Sequence, residues 1–241
     1  MPIPRAIEDH YGVEPDEYWH KEYFVADETY FAQQIKTFNS LFRGSETRRR
    51  ALDIGAGTGK CLVALGKAGF DAFGIEGSEP FYRAALERNG ISPDHISRAS
   101  VEDARFEPGR FEFVTFGAVL EHLYDPSAAI GKALEWIAPD GLIHIEVPSA
   151  RWLIARLGNL FYRLSGTDYV VNLSPMHSPY HLYEFELNSF RRHGARFGYE
   201  IADHRFYVAQ TFMPRIISPL VARFMEATKT GMQLEVWLRR I

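Results

Sequence analysis

The sequence has 241 residues, of which 46% are hydrophobic and 24% charged, a composition that suits one sizeable globular domain and excludes a disordered chain. The formal net charge is −4, and the sequence lacks the concentrated positive charge that binding to a nucleic-acid backbone requires, so no nucleic-acid partner is predicted. No apolar run approaches the ~18 residues of a membrane span and the single cysteine excludes an internal disulfide framework, so a cytoplasmic location is expected.

The chain begins with a segment, residues 1–45, that is predicted to be helical and separate from the main domain at 46–241. Four apolar residues recur there at helical spacing: Phe31, Ile35, Phe38 and Phe42. They form one face of a helix. We expect this face to lie over the edge of a sheet.

From residue 50 onward, short apolar runs alternate with segments of helical period, which is typical of a parallel sheet wrapped by helices. Strands are predicted at 51–55, 71–76, 95–100, 111–116, 141–147, 199–210 and 232–241. Helices are predicted at 60–70, 79–89 and 126–138, and the sequence APDG (138–141) is expected to form a turn. The last two strands alternate and are expected to pair antiparallel at the sheet edge. The predicted fold is therefore α/β, a doubly wound seven-stranded sheet, with a cap inserted at about 148–198.

The sequence LDIGAGTGK places a glycine-rich turn between the first strand and its helix, which indicates a small-ligand site. A phosphate-binding loop would need glycine at Ile54 and serine or threonine at Cys61. A dinucleotide fingerprint fits Gly55 and Gly57, but its third glycine falls on Lys60. These mismatches weaken both alternatives and leave S-adenosylmethionine as the third.

The turn resembles motif I of the class I S-adenosylmethionine-dependent methyltransferases, D-x-G-x-G-x-G, matched at Asp53, Gly55, Gly57 and Gly59. The resemblance extends in order over residues 45–150. It implies a Rossmann-like methyltransferase fold, with S-adenosylmethionine bound in part by those four residues. It also assigns Glu76, the acid that closes the second strand, to both ribose hydroxyls, since a carboxylate can accept two hydrogen bonds at once.

The segment ASVEDARF (99–106) resembles the adenine segment of the same family. The family's first aspartate falls here on Ser100. The resemblance therefore leaves Ser100 or Glu102 to accept from the adenine amino group, and the backbone of Val101 to reach a ring nitrogen.

The stretch FGAVLEHLYDP (116–126) resembles the segment after the family's fourth strand. It implies that Gly117 and Ala118 pass beside the methionine part of the cofactor and that His122 faces the reaction site. In the quinone enzymes of the family an additional acid, associated with a divalent ion, stands where this chain has Ala118. No metal site is predicted.

An oxygen acceptor must usually lose a proton, and an imidazole with a pKa near neutrality suits that task. The candidates are His122, His177 and His181, with a structural role as the alternative for His122. His177 and His181 have the spacing of a zinc helix, but Pro179 between them favours a loop. The segment starting at His181 resembles the family's late segment, so His122 and His181 are predicted to be catalytic.

The sequence RWLIARLGNLFYRL (151–164) carries a leucine stripe among three arginines. Two interpretations stay open. The segment is either an active-site lid whose apolar side packs on the domain, or a basic amphipathic helix in peripheral contact with an anionic bilayer.

Together these patterns predict methyl transfer from S-adenosylmethionine to a small-molecule acceptor, with oxygen favoured. The segments VLEHLYDP and HLYEF most resemble the branch with ubiquinone-biosynthesis, antibiotic and sugar methyltransferases. Two other functions remain open: a non-catalytic module that has kept the cofactor pocket, and a dinucleotide-dependent oxidoreductase. No oligomeric state is indicated.

Overall fold

The structure is a computed structural model that describes Pro15 and residues 29–45, 49–171, 181–209 and 211–241. Most of the predicted N-terminal segment and the candidate base His177 lie outside the described residues.

One seven-stranded sheet organises the described chain: β1 Arg50–Ile54, β2 Asp71–Glu76, β3 Ile96–Arg98, β4 Phe111–Gly117, β5 Ile137–Pro148, β6 Tyr199–Tyr207 and β7 Gln233–Arg240. The strands lie in the order β3-β2-β1-β4-β5-β7-β6. The first five are parallel, and β7 runs antiparallel to both of its neighbours. The predicted fold class and the antiparallel pairing of the last two strands are confirmed.

Seven α-helices accompany the sheet in the described ranges: α1 Ala32–Leu41, α2 Lys60–Lys67, α3 Glu79–Asn89, α4 Pro126–Trp136, α5 Leu153–Leu164, α6 Leu187–Phe197 and α7 Ser218–Ala227. Their ends follow local chemistry. Asp125 caps α4 by accepting a hydrogen bond from Ala128 N at 2.8 Å, with Pro126 in the first turn. Gly90 ends α3 in the left-handed conformation.

The fifth strand begins earlier than predicted, and the turn expected at 138–141 was wrong. Phe111 pairs with Ile137 and Phe113 with Leu142, so the intervening residues bulge out within one continuous strand. A Cβ at Gly141 would lie 2.6 Å from Ile137 Cγ1. The buried Ile137 starts the strand, and the glycine lets the chain pass close over it.

Helix α1 covers the face of the sheet, and the prediction that it lies over the edge was wrong. The ring of Phe38 packs 4.9 Å from that of Phe113 and 5.3 Å from that of Phe70, measured between centroids. The same cluster includes Leu142 of β5 and Trp237 of β7. The helix lies on the face because the large apolar side chains of the inner strands project from that face and must be shielded from water.

The same face carries a row of buried polar side chains on four adjacent strands: Asp53, Thr115, His144 and Glu235. Thr115 Oγ1 lies 2.8 Å from His144 Nδ1, and His144 Nε2 lies 3.6 Å from Glu235 Oε2. Arg205 donates to that carboxylate at 2.7 Å. Burial alone would raise the pKa of Glu235, but His144 and Arg205 outweigh it and hold the pKa at about 2.

Helix α5 does not bury its leucine stripe as a packed lid would. Leu157, Leu160 and Leu164 are exposed, while Ala155 is buried. None of the helices in the described ranges combines the length and the apolar character needed to cross a bilayer.

Candidate functional site

The glycine turn lies at the edge of the sheet where the parallel strands end. Gly55, Gly57 and Gly59 have φ angles of 75°, 54° and 81°, a region that favours glycine. A Cβ at Gly55 would lie 2.5 Å from Val119 Cγ2, and one at Gly59 would lie 2.8 Å from Ile91 Cγ1. A Cβ at Gly57 would meet nothing within 4 Å, so this glycine borders open space that a ligand can occupy.

The two glycines Gly57 and Gly59 should therefore respond differently to alanine. We expect Gly57→Ala to cost about 1–2 kcal/mol of stability through its left-handed backbone, and to weaken S-adenosylhomocysteine binding at least about tenfold. Gly59→Ala adds the collision with Ile91 and should lose a further ~1–3 kcal/mol. Thermal melts and titration calorimetry measure both quantities. Full ligand affinity in Gly57→Ala would remove the turn from the site.

The carboxylate of Glu76 is buried at the end of β2 and joins two turns. Gly57 N donates to its Oε2 at 2.7 Å and Ser78 N to its Oε1 at 2.8 Å. Burial raises the pKa of Glu76, and these backbone donors partly oppose that rise. Each oxygen keeps a second lone pair, so the predicted role toward two hydroxyls is geometrically compatible. The additional role of holding the glycine turn against β2 was not predicted.

Asp53 is buried below the turn, and its carboxyl is unusually basic. Burial raises the pKa of Asp53 to about 7, and the nearby charge of Glu76 adds to the rise. The Cys61 thiol forms a side-chain hydrogen bond with Asp53, and burial raises the pKa of that thiol well above its usual value. Cys61 therefore stays protonated and donates to Asp53, a role beyond packing that the sequence pattern did not indicate.

Binding of a ligand that carries an ammonium group should depend on pH through Asp53. Below pH 7 this carboxyl is largely neutral, and above pH 7 it attracts an ammonium group, so we expect S-adenosylhomocysteine affinity to rise through that range. Without ligand, the raised pKa should lower the free energy of unfolding as pH increases from 3.8 to about 7. Calorimetric titrations with ligand across this range test the first statement, and denaturant melts without ligand test the second. Asp53→Asn should flatten the two profiles, and an unchanged profile would contradict the assignment.

A cavity opens between the turn and the start of α1. Asp53 and Thr115 line it from the sheet, Gly57 and Thr58 from the turn, and Tyr30 from the N-terminal side. Thr58 Oγ1 is buried and has no hydrogen-bond partner among the described residues. Thr58 therefore contributes a buried polar group without a partner in the described structure to the turn that borders the cavity.

Lys60 and Phe31 complete the cavity wall. Lys60 Nζ lies 4.4 Å from the centroid of the Tyr30 ring, within reach of a cation–π contact. Tyr30, Phe31, Thr58 and Thr115 were not predicted as site residues. Thr58 could have been found from its position inside the glycine motif, whereas the two aromatic residues carry no local signal.

The predicted adenine segment lies beside Glu76, because Ala99 N donates to the Glu76 carbonyl at 3.1 Å. Ser100 Oγ donates to Asp103 Oδ2 at 2.9 Å and accepts from Asp103 N at 3.2 Å. Val101 buries its side chain in the core, and Glu102 is exposed. The assignment of adenine contacts among these residues stays a prediction.

The chain leaves β4 through a strained residue. Ala118 has φ 54° and donates its N–H to the Glu146 carbonyl at 3.0 Å. Left-handed geometry is costly for alanine, and such strain clusters at functional sites. Gly117 before it lines the cavity, and a 3-10 turn at Leu120–His122 follows. Both predicted residues therefore lie at the same edge as the glycine turn.

The two histidines predicted to be catalytic lie together. The ring centroids of His122 and His181 are 4.9 Å apart, edge to face. Leu182 N donates to the Glu121 carbonyl at 2.8 Å, which attaches the later segment to the 3-10 turn. His122 and His181 are 59 positions apart in the sequence, so their contact could not be inferred from spacing alone. Val119, against which Gly55 packs, connects this pair to the glycine turn.

Glu121 is a third ionisable group at this point, and the sequence pattern gave it no role. Burial raises the pKa of Glu121 to about 8. Its Oε1 lies 3.9 Å from His122 Nε2, too far for a hydrogen bond, and its Oε2 has no hydrogen-bond partner within the described ranges. Ligand atoms of Glu121, His122 and His181 lie within 4.8 Å of one another, so this set offers donors to a proton or a cation.

The chain is similar to known proteins over most of its length. Residues 18–204 match the family model described as a methyltransferase domain. The ubiquinone biosynthesis O-methyltransferase of Methylococcus capsulatus is 29% identical over 130 residues, which cover 53% of each protein. The chain thus spans about half the length of the curated relatives it matches.

Two solved structures resemble the fold. A SAM-dependent methyltransferase from Archaeoglobus fulgidus superposes with a TM-score of 0.61 at 15% identity, covering 93% of this chain and 100% of that one. An S-adenosylmethionine-dependent methyltransferase from Mesorhizobium loti gives a TM-score of 0.59 at 15% identity, with coverages of 87% and 97%. At this identity the two structures show a shared fold.

Proposed function

Because the chain belongs to the methyltransferase-domain family, we propose that it transfers a methyl group from S-adenosylmethionine to an oxygen of a small-molecule acceptor. The observation that carries the proposal is that the glycine turn, Glu76 and His122 lie together at one edge of the sheet. Gly57 N donates to Glu76 there, and Gly55 packs against the segment that bears His122. The Methylococcus capsulatus relative is named an O-methyltransferase, which supports oxygen as the acceptor atom.

The residues of this edge fit the cofactor. Open space beside Gly57 admits a ligand against the backbone. The buried hydroxyl of Thr58 in the same turn has no hydrogen-bond partner among the described residues. When bound, the cofactor supplies a methyl group already activated on a positively charged sulfur. Asp53 would face positive charge, and Glu76 would accept from the ribose hydroxyls.

The remaining cofactor contacts follow the chain. Ser100 and Val101 would border the adenine beside Glu76, while Gly117 and Ala118 would border the methionine part. Because the methyl group arrives activated, the protein mainly supplies alignment of the acceptor with the methyl carbon.

His122 would take the acceptor proton, with His181 beside it in the acceptor pocket. Both imidazoles lie next to a buried carboxyl, Glu121, whose raised pKa keeps it largely neutral at pH 7. A neutral carboxyl places no negative charge beside His122, which is compatible with the proposed role of its imidazole as a base.

The experiment that tests the proposal is transfer of labelled methyl from S-adenosylmethionine into a fractionated cell extract. We expect label in an extractable small molecule, and partition between organic and aqueous phases gives the polarity of the acceptor. S-adenosylhomocysteine binding without any label would instead favour a non-catalytic module. Parallel titration with NAD should show no binding, and NAD binding in place of S-adenosylhomocysteine would overturn the cofactor assignment.

A further inference from the structure

Helices α5 and α7 expose an apolar surface that none of the catalytic assignments uses. Its six main residues, which we call the α5–α7 surface, are Leu160, Phe161 and Leu164 on α5, Leu220 and Phe224 on α7, and Ile216 in the turn before α7. Leu164 is 80% exposed, Ile216 94% and Leu220 72%. Isolated exposed leucines are common, but a group of large apolar side chains on adjoining helices marks an interaction site.

The two helices are held together by a small core of their own. Trp152, Ala155 and Met225 are buried between them. The Trp152 ring lies 5.7 Å from that of Phe212, and Leu153 N donates to Thr230 O at 3.1 Å. The inner faces of both helices are therefore already occupied, and the α5–α7 surface is the face left over.

The charge around this surface is mostly positive. Residues 151–164 and 211–227, which include both helices, contain five arginines and one acidic residue, Glu226, in a chain whose formal net charge is −4. All five are exposed: Arg151, Arg156, Arg163, Arg215 and Arg223. Exposed apolar side chains accompanied by exposed arginines match an anionic lipid surface. There the leucine and phenylalanine side chains would enter the acyl boundary and the guanidinium groups would meet lipid phosphates.

Self-association fits this surface less well. A two-fold symmetric dimer through it would place each arginine set near its own copy. Like charges brought together at an interface oppose association. The charge pattern thus favours a negatively charged partner over a second copy of the chain.

The position of the surface relates it to the candidate site. Pro148, Gln233 and Tyr207 are register partners at one end of β5, β7 and β6. Helix α5 begins shortly after Pro148, at the carboxyl ends of the parallel strands. The α5–α7 surface therefore belongs to the same edge of the sheet as the glycine turn.

We propose that the α5–α7 surface docks the protein on anionic phospholipid bilayers, with the carboxyl edge of the sheet facing the lipid. Docking itself needs neither cofactor nor turnover. Its consequence for catalysis, direct access to an acceptor dissolved in the bilayer, rests on the proposed function.

Co-sedimentation of the full chain with vesicles tests the proposal. We expect binding to vesicles of equimolar phosphatidylcholine and phosphatidylglycerol, weakened by salt, and much weaker binding to phosphatidylcholine alone. Leu160→Ser combined with Phe161→Ser should weaken binding about 10- to 100-fold. Arg156→Gln combined with Arg163→Gln should weaken it about 30-fold.

Matched controls change the same chemistry elsewhere. Ile241→Ser removes an exposed apolar side chain and Arg192→Gln an exposed arginine, both outside the surface, and both should bind vesicles like the unmodified chain. All variants should keep S-adenosylhomocysteine affinity and melting temperature, which separates lipid docking from the methyl-transfer site.

Three results would overturn the proposal. They are absence of binding to anionic vesicles, equal binding to both vesicle types, and unchanged binding by both double variants. A concentration-dependent dimer that Leu160→Ser with Phe161→Ser abolishes, without lipid binding, would assign the surface to self-association. A protein that transfers methyl groups but does not bind vesicles would contradict the docking proposal and leave the proposed function intact. A protein that binds vesicles but transfers no methyl group would contradict the proposed function and leave docking intact.

Discussion

Replacing His122 by asparagine should lower turnover by about 100- to 10,000-fold, the usual contribution of a general base. Asparagine keeps a polar side chain of similar reach but cannot take a proton near neutral pH. The affinity for S-adenosylhomocysteine should stay within about twofold, because the imidazole acts on the acceptor. Steady-state kinetics and calorimetry on the same preparation give both values.

The pH profile separates a base from a structural histidine. The unmodified enzyme should lose turnover below the pKa of its base, and His122→Asn should lack that limb. His204→Asn, which changes a half-buried imidazole on β6, should leave turnover unchanged. Equal losses of turnover, affinity and melting temperature in His122→Asn would identify a structural role.

Chelation distinguishes a proton acceptor from a cation site at the same three side chains. If His122 acts as a base, dialysis against EDTA should leave turnover unchanged. Loss of turnover that a divalent cation restores would assign Glu121, His122 and His181 as ligands.

Replacing Glu76 by alanine should weaken S-adenosylhomocysteine binding by roughly 1–3 kcal/mol, because charge-assisted hydrogen bonds are lost. The structure adds a second effect. Gly57 N and Ser78 N would lose their acceptor, so the free energy of unfolding should fall by about 2–4 kcal/mol as well. Calorimetry and denaturant melts measure the two losses separately.

Glu79→Ala is the matched control for this variant. Glu79 is an exposed acid nearby that pairs with Arg98 at 2.9 Å, and such surface pairs contribute little. It should leave affinity intact and change stability by less than about 1 kcal/mol. Unchanged affinity in Glu76→Ala would remove this carboxylate from the cofactor site.

The elements that follow from local pattern were predictable. The glycine motif and the alternation of apolar runs with helical segments are set by residues close in sequence, so β1, β2, α3 and α4 lie at or near their predicted positions. Helix α1 shows the limit. Its apolar face was evident from the sequence. Whether Phe38 packs at the edge of the sheet or against Phe113 on its face depends on contacts between residues far apart in sequence.

The candidate site was predictable in its motif residues and less so in what surrounds them. Asp53, Glu76 and His122 became candidates because their segments resemble motifs of the family, and their roles stay predictions. The raised pKa values of Asp53 and Glu121 arise from burial, which depends on the packed chain. Contacts such as that between His122 and His181 join residues far apart in sequence, so no local pattern announces them.

The polar row across β1, β4, β5 and β7 has a consequence for how the sheet assembles. Strand β7 is the last strand in the chain and must insert between β5 and β6. Apolar side chains alternate along it, so hydrophobicity alone would tolerate a shift of two residues. Such a shift would separate the Glu235 carboxylate from His144 and Arg205 and leave charge buried without a counterpart. The buried charge therefore destabilises a shifted pairing of β7 with its neighbours. It favours the native register over other registers that would also bury the apolar side chains of β7.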